Sequence, residues 1–131
     1  MGKKSDKSLK IDHCIFYFFF DMQLNVKTYH LLTKSYAKHK ASDMLYDSII
    51  DISDKFLEVY IGRYGRPKIS PETIIFKYMA DDDFISYLKK SVLYLENDLV
   101  KYIKNTDTEL LNIRDELLAS INQTLYLLAL N

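Results

Sequence analysis

The residues that interrupt helices are confined to one short stretch of this chain. Apart from Gly2, every glycine and proline lies between Gly62 and Pro71. Since these are the residues least tolerated inside a helix, residues 8–61 and 72–131 contain nothing that would break one. The sequence therefore predicts an all-α chain in two halves, joined by the stretch that carries the breakers.

Each half is expected to form two helices. The predicted helices are residues 12–33, 35–62, 81–104 and 107–130. The first two are separated although no glycine or proline marks their junction, because a single helix of about 50 residues would be far longer than usual. Thr33 and Ser35 also provide capping hydroxyls at that point.

The connection between the second and third helices is much longer than the other two. Short connections join antiparallel neighbours, whereas residues 63–80 could extend over about 55 Å at about 3.3 Å per residue. A helix of about 25 residues is only roughly 37 Å long, so this connection can run the length of a bundle. We predict a ferritin-like four-helix bundle with a long crossover between helices 2 and 3.

The start of the chain differs from the rest in composition. Residues 12–131 are predicted to form one domain, and residues 1–11 a flexible basic tail. The lysines of this tail are Lys3, Lys4, Lys7 and Lys10. With 18 basic and 18 acidic residues, the whole chain has no global field that would attract nucleic acid. The tail is either a solubilising terminus or an arm that contacts the phosphates of DNA.

Neither a membrane span nor a disulfide is expected. The apolar run Ile15–Phe20 is followed by polar residues and is far shorter than the roughly 20 residues that cross a bilayer. Cys14 is the single cysteine, which excludes an internal disulfide and fits an intracellular, cytoplasmic location.

The second predicted helix has two stripes on opposite sides. One is an ordinary core stripe, made of Leu45, Ile49, Ile52, Phe56 and Val59. Opposite it, polar residues recur at offsets of four, eleven and four, which are whole turns: His39, Asp43, Asp54 and Glu58. Tyr36, Ile50, Leu57 and Ile61 share this second side, and its apolar residues predict that another subunit covers it.

Burial of this polar set between subunits would require a neutralising charge. Each desolvated ion costs several kcal/mol, and a divalent metal would offset that cost. Carboxylate oxygens mixed with imidazole suit iron, manganese or zinc. The alternative is a solvated acidic stripe beside Lys40 and Lys55, with His39 as an ordinary surface histidine.

The spacing of these residues resembles the ferroxidase signature of Dps proteins, the ferritin-like mini-cages that protect DNA. The resemblance implies that His39, Asp43 and an upstream histidine come from one subunit, and Asp54 and Glu58 from its two-fold mate. His30 is the candidate for the upstream histidine, with a hydrogen-bonded core histidine as its alternative. His30 lies nine residues before His39, three fewer than in the Dps pattern, and Leu31 replaces the usual tryptophan.

Over its whole length the chain resembles an uncharacterised ferritin-like family of large double-stranded-DNA viruses. Residues 29–41, 54–65 and 111–117 carry this similarity. The resemblance implies a fold and a viral setting, in the host cell or the virion, without an activity.

Together these observations predict a homo-oligomer, at least a two-fold dimer, that oxidises Fe(II) and stores iron or protects DNA. Glu58 would bridge the metals, and Asp54 would be the other catalytic carboxylate. The alternative is a non-catalytic helical dimer or scaffold that binds nucleic acid, if at all, through its basic tail. Asp115 in the last helix is expected to hold Arg114 or to cap a buried polar network instead of binding a metal.

Overall fold

The computed structural model describes the backbone of residues 2–130 and the side chains of residues 15–130. Four α-helices follow one another: α1 (Gly2–Leu32), α2 (Tyr36–Tyr64), α3 (Asp81–Leu93) and α4 (Thr108–Leu128). No strand occurs among residues 2–130, so the all-α prediction is confirmed for this part of the chain. The four lysines of the predicted tail and Cys14 lie outside the described side chains.

A three-residue turn separates α1 from α2. The Thr33 hydroxyl oxygen accepts a hydrogen bond from the Ser35 backbone N–H at 3.3 Å. The Ser35 hydroxyl oxygen accepts one from the Lys38 N–H at 3.3 Å and so caps α2. The Ser35 hydroxyl therefore caps α2 as the sequence predicts, whereas the Thr33 hydroxyl stabilises the turn itself, and α2 starts without glycine or proline.

Replacing the Ser35 cap should weaken the bundle modestly. We expect Ser35→Ala to lower the free energy of unfolding by about 1 kcal/mol, because one N–H of the first turn of α2 loses its acceptor. Urea denaturation followed by circular dichroism measures this. Ser86→Ala, the same change at an exposed position inside α3, is the matched control and should leave stability within about 0.5 kcal/mol. Equal stabilities for the two variants would contradict the capping role.

The second helix ends at a glycine that adopts a backbone conformation other residues avoid. Gly65 has φ of 89°, and its N–H donates to the Ile61 carbonyl at 2.7 Å. An irregular connection then runs beside α1. Ile69 and Pro71 line a cavity of about 300 Å³ with Phe16, and the Ile75 carbonyl accepts a hydrogen bond from Asn25 Nδ2 at 3.2 Å.

Contacts between helix ends give the direction of each helix. The first turns of α2 and α3 meet through an ion pair between Lys38 Nζ and Asp81 Oδ2 at 2.7 Å. The end of α2 meets the start of α4, where the Tyr64 hydroxyl donates to Asp107. Hence α2 and α3 point the same way, and α4 runs antiparallel to α2. The Tyr94 ring, which directly follows α3, stacks on Phe18 of α1 with ring centroids 4.1 Å apart.

The core is built mainly from aromatic and aliphatic side chains of all four helices. Tyr29 of α1 stacks on Phe84 of α3 with ring centroids 3.8 Å apart, and Phe19 packs on Phe56 of α2 at 5.2 Å. Leu57, assigned from the sequence to the second stripe of α2, is buried within the single chain, while Tyr36 is 76% exposed. Burial of Leu57 therefore requires no second subunit. The apolar residues of the second stripe are thus weaker evidence for a subunit interface than the sequence indicated.

The third helix changes its winding before it ends. A π-helical turn (Tyr94–Asp98) and a 3₁₀ turn (Leu99–Tyr102) replace the last part of the continuous helix predicted over residues 81–104. The Leu95 carbonyl within the π turn accepts a hydrogen bond from Arg114 Nη1 at 2.9 Å. Arg114 Nε also donates to Asp115 at 2.8 Å, which is one of the two non-metal roles considered for Asp115.

Within the described residues, no helix is both long enough and apolar enough to cross a membrane.

Candidate metal centre

Two histidines face each other across the turn between α1 and α2. His30 lies in the last turn of α1 and His39 in the first turn of α2. His30 Nδ1 lies 2.9 Å from the His39 carbonyl oxygen, and His39 Nδ1 lies 2.8 Å from the His30 carbonyl oxygen. The two rings stack with centroids 3.9 Å apart. Each histidine therefore links the two helices through the backbone of the other.

These hydrogen bonds determine which ring nitrogens are free. A carbonyl oxygen only accepts, so Nδ1 carries the proton in both rings. In the neutral imidazole, Nε2 then keeps its lone pair. A histidine whose Nδ1–H donates to a backbone carbonyl and whose Nε2 is unprotonated has the arrangement of a typical metal ligand. The chemistry of this pair fits a divalent transition metal.

Asp43 is the carboxylate nearest to this pair among the predicted ligands. It lies one turn after His39 on α2, and its Oδ1 is 3.7 Å from His30 Nε2, which is beyond ordinary hydrogen-bonding distance. His30 is 6% exposed, whereas the Asp43 side chain is 43% exposed. The structure thus brings His30, His39 and Asp43 to one end of α1 and α2, with Asp43 open to the surface.

The other two predicted ligands lie apart from this cluster. Asp54 and Glu58 are exposed, and the rise between Asp43 and Asp54 along α2 is about 16 Å. One chain therefore does not bring all five predicted ligands together. Among the side chains of residues 15–130, no three His, Cys, Asp or Glu residues form a group that could hold a metal by themselves.

A part-buried polar contact that the sequence does not reveal lies next to the histidine pair. Asp81 accepts hydrogen bonds from Lys38 Nζ and from the Tyr29 hydroxyl, both at 2.7 Å. The hydrogen bond from Lys38, ahead of that from Tyr29, lowers the pKa of Asp81. Burial, followed by the bond to Asp81, raises the pKa of Tyr29. Only the acidic start of α3 was visible in the sequence, because these partners lie far apart along the chain.

A second contact that the sequence does not reveal joins α2 to α4 at the opposite end of the bundle. Asp107 is completely buried and accepts hydrogen bonds from the Tyr64 hydroxyl and, at 2.8 Å, from the Lys104 backbone N–H. Arg63 Nε pairs with its other oxygen. Burial alone would raise the pKa of Asp107, but these donors and the guanidinium outweigh it and lower the pKa. The sequence gives no signal for this contact, because Arg63 and Tyr64 lie more than 40 residues before Asp107.

Fold and site together define a small all-helical bundle with a histidine pair joining its first two helices. Residues 30–128 match the model of a family of unknown function, DUF5856, and the chain belongs to that family. It is also similar to an uncharacterised 14.6 kDa protein from the mobD-ri intergenic region of Enterobacteria phage T4, with 51% identity over 37 residues. That match covers 28% of this chain and 29% of the phage protein. No solved structure matches the chain.

Proposed function

We propose that this protein is a ferritin-like bundle that binds iron and oxidises Fe(II) at a site shared by two copies of the chain. The observation that carries the proposal is the reciprocal pair of hydrogen bonds between His30 and His39. It leaves Nε2 of both rings free to bind a metal next to Asp43. Since one chain supplies an incomplete ligand set, Asp54 and Glu58 of a second copy would complete it.

The direction of the helices supports the ferritin-like part of the proposal. Because α2 and α3 start at the same end of the bundle, the connection of residues 65–80 has to return along its length. Hydrogen bonding of this connection to Asn25 of α1 is consistent with such a crossover. Iron-binding bundles of this kind place their ligands on helix faces, as this chain would with α1 and α2.

The proposed reaction is the oxidation of Fe(II), which is the substrate, by hydrogen peroxide or dioxygen. With peroxide, two Fe(II) ions each lose one electron, and the peroxide takes up both electrons and two protons to become two water molecules. In this proposal, His30, His39, Asp43 and Asp54 each bind one ion, and Glu58 bridges the two. Carboxylate oxygens and imidazole suit iron, with manganese or zinc as competitors.

A single substitution can separate metal binding from the helix-linking role of His39. In His39→Asn, the side-chain amide can still donate to the His30 carbonyl, but the ligand atom Nε2 is gone. We expect the affinity for Co(II), an air-stable substitute for Fe(II), to fall about 10- to 100-fold, as it does when a ligand shell is disrupted. Titration followed by visible absorbance measures the affinity, and thermal unfolding should change by only a few degrees.

The opposite result would favour the second candidate function, a non-catalytic helical scaffold. The same two hydrogen bonds support that candidate, because His39 caps the unpaired carbonyls at the end of α1 and so has a structural use. In a scaffold, His39→Asn would bind Co(II) as the unchanged protein does. His39→Ala, which removes both the donor and the ligand atom, is the comparison variant and should lower the melting temperature in either case.

The similarity to a phage protein supports a viral setting for the proposed activity. We propose that the protein acts inside an infected cell or in the virion, as a homo-oligomer that stores iron or protects DNA. DNA would be contacted through Lys3, Lys4, Lys7 and Lys10, whose side chains lie outside the described residues.

A further inference from the structure

We propose that the outer side of the α1–α2 pair is an interface between two copies of this chain, and that divalent metal closes this interface by neutralising its carboxylates. This inference rests on the proposed function, because it gives the metal a second role in assembly. We call the surface the α1–α2 face. It consists of Phe20, Leu24, Lys27 and Leu31 of α1, and of Lys40, Asp43, Asp47, Asp51, Asp54 and Glu58 of α2.

The acidic part of the α1–α2 face is longer than a metal site requires. At 100° per residue, its five carboxylates fall within about 80° of one another around α2. Asp47 and Asp51, which the metal proposal does not use, lie between the two groups of predicted ligands. In the part of the chain that the structure describes, none of Asp47, Asp51, Asp54 and Glu58 forms an ion pair. The stripe therefore keeps its negative charge.

Next to the acids, α1 exposes an apolar row. Leu24 is 41% exposed and Leu31 is 64% exposed; Phe20 is also 41% exposed and borders the cavity that Ile69 and Pro71 line. These residues are four and seven positions apart, so they line up along the helix. Exposed apolar residues grouped in a row, in contrast to scattered ones, are typical of a contact surface.

Contacts between the two helices place the row and the stripe side by side. Gln23 Nε2 donates to the Ser53 hydroxyl at 2.8 Å, and Lys27 Nζ lies 4.7 Å from the centre of the Tyr46 ring. The two helices are antiparallel. On each helix, the residues that follow these contacts around the helix axis, away from the core, lie on the outer side of the pair. The α1–α2 face thus combines apolar residues, which favour docking, with a carboxylate stripe, which opposes it.

A second copy is the occupant that suits this combination. In a two-fold dimer each copy presents the same surface, so stripe would meet stripe. Acids outnumber Lys27 and Lys40 on the face, and their repulsion would keep metal-free chains apart. His30 itself is buried, at 6% exposure, but its Nε2 lies 3.7 Å from Oδ1 of the partly exposed Asp43, so one ligand atom lies directly behind the face. Divalent ions at the two symmetric sites would replace repulsion with shared coordination.

The test compares association of the full chain with and without Co(II) in sedimentation velocity experiments. At about 20 mM salt, where surface charges are weakly screened, we expect monomer in EDTA and dimer with Co(II). Asp47→Asn with Asp51→Asn removes charge but no proposed ligand. This variant should lower the metal-free dimer dissociation constant by at least about tenfold and bind the same amount of Co(II). Salt at about 500 mM should likewise favour the metal-free dimer.

Asp82→Asn with Asp83→Asn is the matched control, since both aspartates are exposed on α3, away from the α1–α2 face, and should not alter association. If the protein bound Co(II) but its dimer dissociation constant were the same with and without Co(II), metal-dependent assembly would be overturned. The proposed metal site would remain intact. Failure of the protein to bind Co(II) would overturn both. An unchanged metal-free dissociation constant in the Asp47/Asp51 variant would show that the stripe does not oppose docking.

Discussion

Asp107→Ala should lower the melting temperature by about 10 °C or more, which is the largest stability change expected for a single polar substitution in this chain. The carboxylate is completely buried and holds the end of α2 to the start of α4 through Tyr64, Arg63 and the Lys104 backbone N–H. Its removal leaves these donors without their acceptor. Circular dichroism during heating measures the effect.

The contribution of Asp107 should also depend on pH in a defined direction. Its pKa is lowered in the folded protein, below the value of about 3.9 for an unfolded aspartate. The stabilisation is therefore fully present above about pH 4 and is lost as the pH falls through the folded-state pKa. The difference in melting temperature between the unchanged protein and Asp107→Ala should be constant from pH 7 to about 5 and should shrink below about pH 4.

Glu116→Ala is the control for this prediction, because Glu116 is an exposed carboxylate on the same helix. It should shift the melting temperature by no more than about 2 °C. Asp107→Asn keeps the shape of the side chain but removes the charge and replaces one acceptor oxygen with an NH2 group, so it should also be destabilising. If Asp107→Ala and Glu116→Ala had the same melting temperature at pH 7, the buried carboxylate of Asp107 would not hold α2 to α4 as its contacts indicate.

Features determined by neighbouring residues could be read from the sequence. The break between α1 and α2 depends on the Thr33 and Ser35 hydroxyls, which bond to N–H groups two and three residues further on. Such contacts are visible because capping residues lie next to the backbone groups that they satisfy. The end of α2 was predicted less accurately, because the glycine-containing stretch placed it at Gly62, whereas the helix continues to Tyr64 and ends at Gly65.

Features determined by distant residues could not be read in this way. The π turn within α3 contains no glycine or proline, and its Leu95 carbonyl is satisfied by Arg114 of another helix. Asp107 meets Arg63 and Tyr64 only because α4 begins where α2 ends. Neither pairing has a periodic pattern along the chain, so the sequence offered no signal for it.

The candidate site combines both kinds of feature. Helical spacing placed His39 and Asp43 on one side of α2, and the resemblance to Dps proteins added His30. The structure brings these three residues to one end of the helix pair. The reciprocal hydrogen bonds of the histidines depend on the geometry of a three-residue turn, which no spacing rule supplies. Asp54 and Glu58 lie further along α2, too far from the histidines of their own chain. Only Asp54 and Glu58 of a second copy could reach those histidines.

Asp54→Ala combined with Glu58→Ala is expected to abolish Fe(II) oxidation while leaving the helical content unchanged. Both side chains are exposed on α2 and are absent from the core, so their loss should not disturb packing. In the proposed shared site, both carboxylates would come from the second copy, and Glu58 would hold both irons. Without them each iron loses carboxylate ligands that stabilise Fe(III), and we expect at least a 100-fold lower rate.

The rate is measured as the increase in near-ultraviolet absorbance after anaerobic Fe(II) is mixed with hydrogen peroxide. Asp82→Ala with Asp83→Ala, which removes two exposed carboxylates from α3, is the matched control and should oxidise Fe(II) at the unchanged rate. Mixing the double variant with a His39→Asn variant tests more specifically whether each site is shared between two chains. If each site uses residues from two chains, a mixed dimer contains one intact site, so part of the activity should return. Oxidation at the full rate by the double variant alone would overturn the enzymatic proposal, because no shared carboxylate pair would then be required.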